Sequence, residues 1–185
     1  PVTMFPDGEK TAQNLPAMLS LGVAYKITDK FSAQVGFHNY WDKSADYGKK
    51  KPISLGAAVS EHVDNADLIE SNLMEWAVGL EYQINDKFLV SAGYLGTKTG
   101  VKDEYHSDIS YSNSSTTFGG GLQYTLNEKI AFNLGFASTS YEESSKTFLR
   151  IDPLNTNPTT PETIEITETY DKDNIFLGIG VDFKF

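Results

Sequence analysis

The last eleven residues of the chain alternate between apolar and other side chains without interruption. One face of this segment carries Ile175, Leu177, Ile179, Val181, Phe183 and Phe185, and the other carries Phe176, Gly178, Gly180, Asp182 and Lys184. A period of two is that of a β-strand. A strand with a continuous apolar face that ends on phenylalanine is typical of the closing strand of an outer-membrane β-barrel. We expect Val181, Phe183 and Phe185 to form its membrane-insertion signal.

A hairpin motif recurs three times upstream. The copies are residues 25–31 (YKITDKF), 82–88 (YQINDKF) and 124–130 (YTLNEKI). In each copy an aromatic and an aliphatic residue end one strand, a short polar turn follows, and an apolar residue opens the next strand. The repeating unit is therefore a β-hairpin. Because Tyr25, Tyr82 and Tyr124 lie near the short turns, we expect them to form an aromatic girdle.

The whole pattern predicts seven strands. They cover about residues 17–27, 31–41, 73–84, 88–98, 115–126, 130–141 and 174–185. Short turns at 28–30, 85–87 and 127–129 alternate with long polar stretches at 42–72, 99–114 and 142–173. Bacterial barrels keep short turns on the periplasmic side and have an even strand count. The first and last strands would then both descend, so residues 1–185 are predicted to be the C-terminal part of a longer barrel, without its upstream strands.

Composition excludes several classes of protein. Only 39% of the 185 residues are hydrophobic, and no run approaches the ~18 to 20 apolar residues of a helical span. The absence of cysteine excludes disulfides and thiolate metal sites. A net charge of -10 leaves no basic patch for nucleic acid. Because no metal-like histidine spacing, nucleophile elbow or phosphate loop occurs, we expect no metal, no cofactor and no enzymatic activity.

The inward face of the predicted strands is rich in glycine. By alternation it includes Gly22, Gly36, Gly79, Gly93, Gly119, Gly121, Gly135, Gly178 and Gly180. Glycine weakens a strand, so this concentration suggests close packing of a plug, or a channel for a ligand. The alternative is that small residues relieve crowding where strands bend. Alternation alone leaves both interpretations open.

Polar and charged residues on the inward face have a functional and an ordinary interpretation. Gln34, His38 and Tyr40 are candidates for a ligand contact, and the ordinary alternative is a polar pore lining. The inward charges are expected to form cross-strand ion pairs, and they are Lys26, Glu75, Glu81, Asp182 and Lys184. His62 and His106 are predicted in loops. The loop charges, residues 49–51, 103–104, 142–143 and 162–173, are either solvated or contact lipopolysaccharide, directly or through divalent cations.

Several segments resemble the FadL/TodX family of outer-membrane transporters for long-chain fatty acids and other hydrophobic compounds. They are residues 15–25 (LPAMLSLGVAY), 28–31 (TDKF) with Trp41, 78–82 (VGLEY), 92–94 (AGY) with Thr97, and 119–124 (GGGLQY). The resemblance runs from about residue 15 to 185. It implies a fourteen-stranded barrel with an N-terminal hatch and lateral release of ligand into the membrane. The hatch and its ligand contacts have no counterpart in residues 1–185, so no ligand residue is transferred.

Together these features predict an all-β, antiparallel up-and-down transmembrane β-barrel in the bacterial outer membrane. The expected function is passive uptake of long-chain fatty acids or other hydrophobic small molecules. The alternative is a structural or adhesive barrel that acts through loops 42–72 and 142–173. A soluble lipocalin-type barrel fits less well, because that fold has an apolar interior and a polar exterior. The expected partners are a hydrophobic ligand, outer-membrane lipid and lipopolysaccharide, and the barrel assembly machinery.

Overall fold

The computed structural model describes residues 12, 14–46, 50–51, 61–62, 65–106, 111–151, 154 and 162–184. In chain order the strands are β1 (Met18–Lys26), β2 (Phe31–Tyr40), β3 (Lys50–Lys51), β4 (Glu61–His62), β5 (Leu73–Asn85), β6 (Phe88–Lys98), β7 (Ser115–Asn127), β8 (Ile130–Tyr141), β9 (Ser144–Ile151), β10 (Thr163–Tyr170) and β11 (Asp173–Phe183). A single-turn helix, α1, covers Asn65–Leu68, and 3-10 turns cover Asp42–Ser44 and Asp103–Tyr105. No helix in the described part of the chain is long and apolar enough to cross a membrane.

The main element is a seven-stranded antiparallel sheet with the order β1-β2-β5-β6-β7-β8-β11. Its strand ends lie within two residues of those predicted from the sequence. In the described residues β1 pairs only with β2, and β11 only with β8, so the sheet has two edges and does not close on itself. We call the end with the short turns the turn end, and the end with the long connections the outer end.

The expectation of a continuous polar loop over residues 142–173 is wrong. Strands β9 and β10 form an antiparallel hairpin there, in register from Ser144–Tyr170 to Ile151–Thr163. A Thr147–Thr167 hydroxyl contact of 2.9 Å and a Lys146–Glu168 ion pair of 3.2 Å join the two strands. These cross-strand pairs stabilise a hairpin without a lipid-facing apolar row. The apolar alternation used to recognise the other strands therefore missed it.

The strand register confirms which residues share a face. Val23, Val35 and Val78 are directly paired across β1, β2 and β5, and the row continues through Tyr94 and Phe118. Directly paired residues lie on the same face of a sheet. On β8, alternate apolar side chains are exposed whereas the residues between them are half-buried or buried. One face is therefore apolar and exposed, as a lipid-facing wall requires.

The three short turns share one geometry. The side-chain oxygens of Thr28, Asn85 and Asn127 each accept two backbone N–H groups, two and three residues ahead, at 2.9 to 3.2 Å. This is how Asn and Thr favour tight turns. The carbonyl of the turn lysine also accepts an N–H from the next hairpin, for example Gln83 to Lys30 at 2.7 Å. Each turn is therefore hydrogen-bonded to the neighbouring strand along the edge of the sheet.

Candidate functional site

The polar face of the sheet carries a continuous band of glycines. Directly paired glycines form three groups within this band. They are Gly22 with Gly36, Gly79 with Gly93 and Gly119, and Gly121 with Gly135 and Gly178. Gly180 lies on the same face. The nine glycines assigned to this face from the sequence therefore share it. Because none has a side chain, this part of the wall is thinner than its surroundings.

A hollow of about 380 Å³ lies over the middle of this band. Its polar-face lining consists of Gln34, Gly36, Ala77, Gly79, Gly93, Leu95, Thr117 and Gly119. None of these residues is charged, and most are small or apolar. Ligand sites typically combine an apolar lining with a few polar groups that set orientation. The hollow has this composition, with Gln34 and Thr117 as its polar side chains.

Gln34 lies across the glycine at position 79. A β-carbon added at Gly79 would come 2.8 Å from Gln34 Nε2 and 2.9 Å from its Cγ. On the other side of the hollow, the Thr117 hydroxyl contacts the Thr139 hydroxyl at 2.7 Å. The absence of a side chain at Gly79 therefore allows the Gln34 amide to lie against the wall instead of projecting from it.

Polar belts border the hollow above and below. Toward the outer end, Ser20 Oγ contacts His38 Nδ1 at 2.8 Å, and Thr97 donates to Glu75 at 3.3 Å. Toward the turn end, the Ser32 hydroxyl donates to Glu81 at 3.3 Å. These cross-strand hydrogen bonds run along the wall. The least polar part of this face therefore lies between two hydrogen-bonded belts.

In the described part of the chain, the inward-facing charges do not form the cross-strand ion pairs that we expected. Glu75 and Glu81 accept hydrogen bonds from hydroxyls, and Asp182 accepts one from the Asn133 amide at 2.8 Å. Lys26 pairs at 3.2 Å with Asp29, in its own turn. Hydroxyl and amide donors two or three bonds from Cα reach the neighbouring strand directly, whereas the Lys26 side chain extends toward its own turn. The prediction of ion pairs between strands is therefore wrong for these residues.

The structure does not bring the three candidate ligand residues into one site. Gln34 lines the hollow. His38 and Tyr40 lie nearer the outer end of β2, where their rings stack at 6.4 Å with an angle of 22°. Sequence reasoning did not single out Ala77, Leu95 and Thr117 as lining residues. Only the register, which sets them beside the glycines, could have found them.

The aromatic residues predicted to form a girdle lie on the apolar face near the turn end. Tyr82 packs edge-on against Phe31 at 6.5 Å, and Tyr124 packs against Phe88 at 5.0 Å. Tyr25 is 69% exposed. If the strand pairing is followed from one of these tyrosines across two strands, the next tyrosine lies two residues farther toward the turn end. A glycine precedes each girdle tyrosine by three positions, at Gly22, Gly79 and Gly121.

Val181 and Phe183 lie on the same apolar face of β11. Val181 pairs with Phe132 and Phe183 with Ile130, and both side chains of β11 are exposed. Phe183 continues the two-position step from Tyr124, and Gly180 precedes it by three positions. Phe185, the third residue of the predicted insertion signal, lies outside the described residues. The insertion signal itself stays a prediction.

Among the described residues, no group of three or more His, Cys, Asp or Glu side chains could hold a metal ion. Residues 3–185 match the family model described as "Outer membrane protein beta-barrel domain". No curated protein matches the sequence.

Proposed function

This chain belongs to the outer membrane protein beta-barrel domain family and resides in the bacterial outer membrane, and we propose that it is a passive transporter of hydrophobic small molecules. Long-chain fatty acids are one class of such molecules and other hydrophobic compounds are a second. The resemblance of residues 15–185 to FadL/TodX transporters supports this assignment. We propose no catalytic step, since passage of an apolar molecule needs none.

The observation that carries the proposal is the hollow over the glycine band. Transport of an apolar molecule along a barrel wall requires a surface that is neither charged nor blocked by large side chains. The hollow offers about 380 Å³ beside a wall of glycine, alanine and leucine. If the glycines only relieved crowding, they would not need to pair directly with one another in three groups. The hollow, which lies over Gly36, Gly79, Gly93 and Gly119, favours a ligand path through this part of the band.

The proposal is tested by uptake into Gram-negative cells that lack the native protein and express this one or its variants. Radiolabelled hexadecanoate and a labelled aromatic hydrocarbon are the probes. Gly93→Leu fills the hollow, whereas Gly178→Leu, where nothing lies within 4 Å of an added β-carbon, adds the same side chain elsewhere on the same face.

We expect Gly93→Leu to lose most of the uptake and Gly178→Leu to retain it. Heat-modifiable migration checks that both variants are folded in the membrane. Equal uptake by both variants would show that the hollow is not on the path. Uptake that is no faster with the protein than without it would refute transport.

A second candidate function is a structural or adhesive role of the external connections. The observation that favours it is the β9–β10 hairpin, an ordered element outside the main sheet. The partners would then be lipopolysaccharide or another surface. Deletion of residues 145–169 separates the two roles: loss of surface binding with uptake intact would favour adhesion. The barrel assembly machinery is a proposed partner in both cases.

A further inference from the structure

A buried polar cluster at the outer end joins three segments that are distant in sequence. We call it the outer cluster; its members are His106, Asn113, Ser144, Lys146, Glu168 and Tyr170. Only 2% of His106 is exposed, and Asn113, Ser144 and Tyr170 are also buried. His106 follows the 3-10 turn Asp103–Tyr105, Asn113 precedes β7, and the other four lie at the base of the β9–β10 hairpin. The outer cluster therefore connects that hairpin to the neighbouring loop.

The hydrogen bonds of the outer cluster determine where the His106 proton lies. The Asn113 amide Nδ2 donates to the Tyr170 carbonyl at 3.2 Å, so Asn113 Oδ1 is an acceptor. Ser144 Oγ donates to that oxygen at 2.9 Å. A hydroxyl has one proton to donate. In the remaining contact, of 2.8 Å, Ser144 Oγ must therefore accept, and His106 Nδ1 carries the proton.

The other ring nitrogen of His106 is then a buried acceptor. Nε2 is inaccessible to solvent and has no hydrogen-bond partner among the described residues. A proton added there would place a positive charge in a buried position where no described group now hydrogen-bonds to Nε2. Burying a charge without a partner is costly. The geometry therefore favours the neutral ring.

Neighbouring charges act on His106 from two directions. Burial, the largest effect, and the Lys146 ammonium lower the pKa of His106, whereas Asp103 and the backbone of Ser112 raise it; the net change is downward. Lys146 Nζ also donates to the His106 carbonyl oxygen. A positive charge on the His106 ring would therefore lie close to the Lys146 ammonium group, which is bound to the His106 carbonyl oxygen.

The remaining titratable groups of the outer cluster keep their charge near neutral pH. The Tyr170 hydroxyl donates to Glu168 at 2.6 Å, which lowers the pKa of Glu168 and raises that of Tyr170. Burial lowers the pKa of Lys146, but its contacts with Tyr170 and Glu168 outweigh this and raise it. His106 is therefore the member of the outer cluster that changes charge on mild acidification.

We propose that His106 is an acid-sensitive latch that fastens the β9–β10 hairpin while neutral and releases it when protonated. The folded arrangement binds the proton less well than a released histidine, whose pKa is about 6.5. The β9–β10 hairpin is therefore fully attached above about pH 6.5, and its attachment weakens as the pH falls below that value. Because one proton is taken up, the closed-to-open ratio changes by at most about tenfold per pH unit.

The test begins with NMR of the protein in lipid nanodiscs with isotope-labelled histidine. The sequence has only three histidines, so replacement of each assigns its signal. We expect His106 to show a protonated Nδ1 and an unprotonated Nε2, and to titrate below pH 6.5. An Nε2–H tautomer, or titration at or above that value, would overturn the proposal.

Hydrogen exchange between pH 7.5 and 5 then measures release, after correction for the intrinsic pH dependence of exchange. We expect amide protection in Ser144–Ile151 and Thr163–Tyr170 to fall with pH while the main sheet is unchanged. His106→Asn keeps a donor near the Nδ1 position without a titratable group and should abolish this response. His38→Asn, at the histidine bonded to Ser20 on the polar face, should leave it intact. If His106→Asn does not fold, the histidine titration of the unaltered protein decides. A loss of protection that is equal in His106→Asn and the unaltered protein would overturn the latch.

Discussion

The indole ring of Trp76 covers Gly96, its direct partner on the neighbouring strand. A β-carbon at position 96 would come 2.5 Å from Trp76 Cε2 and 2.7 Å from Nε1. An aromatic ring that covers a cross-strand glycine replaces the packing that the glycine cannot supply. Phe136 covers Gly120 in the same way, on the same apolar face. Both glycines of this face are therefore matched to a ring.

The first prediction concerns this pair. Gly96→Ala should displace the Trp76 ring and cost about 1 to 3 kcal/mol, the usual range for overpacking. Gly93→Ala, on the same strand but the opposite face, should cost less, because its β-carbon would meet Val78 O at an ordinary 3.6 Å. Urea unfolding in lipid vesicles, followed by Trp76 fluorescence in a Trp41→Phe background, measures both. Equal losses of unfolding free energy in the two variants would contradict the packing of the Trp76 ring over Gly96.

The second prediction tests the facing of β5. Val78→Arg puts a charge on the lipid face and should cost about 2 to 4 kcal/mol if it lies near mid-membrane. Ala77→Arg puts the same side chain on the polar face beside the hollow and should destabilise the barrel much less. The free energy of unfolding in bilayers compares the two variants. A penalty of the same size for both would mean that the assignment of faces is wrong.

The third prediction concerns the insertion signal. Phe183 and Phe176 lie on opposite faces of β11, and both are exposed. Phe183→Ala interrupts the apolar row that we expect the assembly machinery to recognise, so the yield of heat-modifiable barrel in purified outer membranes should fall. Phe176→Ala should leave the yield unchanged. Deletion of Phe185 should act like Phe183→Ala. An undiminished yield in both the Phe183→Ala variant and the deletion would show that these residues do not form the insertion signal.

The fourth prediction concerns an amide bridge across three strands. Asn133 on β8 accepts from Gln123 on β7 at 2.9 Å and donates to Asp182 on β11 at 2.8 Å. Asn133→Ala removes both bonds and should cost about 1 to 3 kcal/mol. Because β11 is an edge strand here, amide exchange should accelerate there first. Exchange that rose equally in β5, far from the bridge, would indicate general loosening instead.

The sequence was sufficient for the main sheet because alternation and register are local. The apolar rows of β1, β2 and β5 to β8 set the strand ends, and the three repeated turns set the pairing of β1 with β2, β5 with β6 and β7 with β8. Once the pairing is known, the facing of every glycine follows, because neighbours on one face are fixed by parity. Those assignments rest on alternation within each strand.

The outer cluster could not be predicted in the same way. The sequence placed His106 in a loop, but its partner Ser144 is 38 positions away, and Tyr170 is 64 positions away. Neither distance has a periodic signature. The hollow was partly predictable, since Gln34 and the glycines were assigned to its face. Leu95 and Thr117 were not singled out, because they become neighbours only when β6 and β7 pair.

The two-position step between girdle aromatics has a geometric consequence for the whole wall. A shift of one residue per strand, at ~3.3 Å rise and ~4.8 Å strand spacing, brings Tyr25, Tyr82, Tyr124 and Phe183 to one membrane depth only if the strands tilt by about 35° from the barrel axis. The glycines three positions before them take the same step. In the tilted wall they become a level belt, about 8 Å above the girdle. A molecule following this belt would travel around the barrel at constant depth.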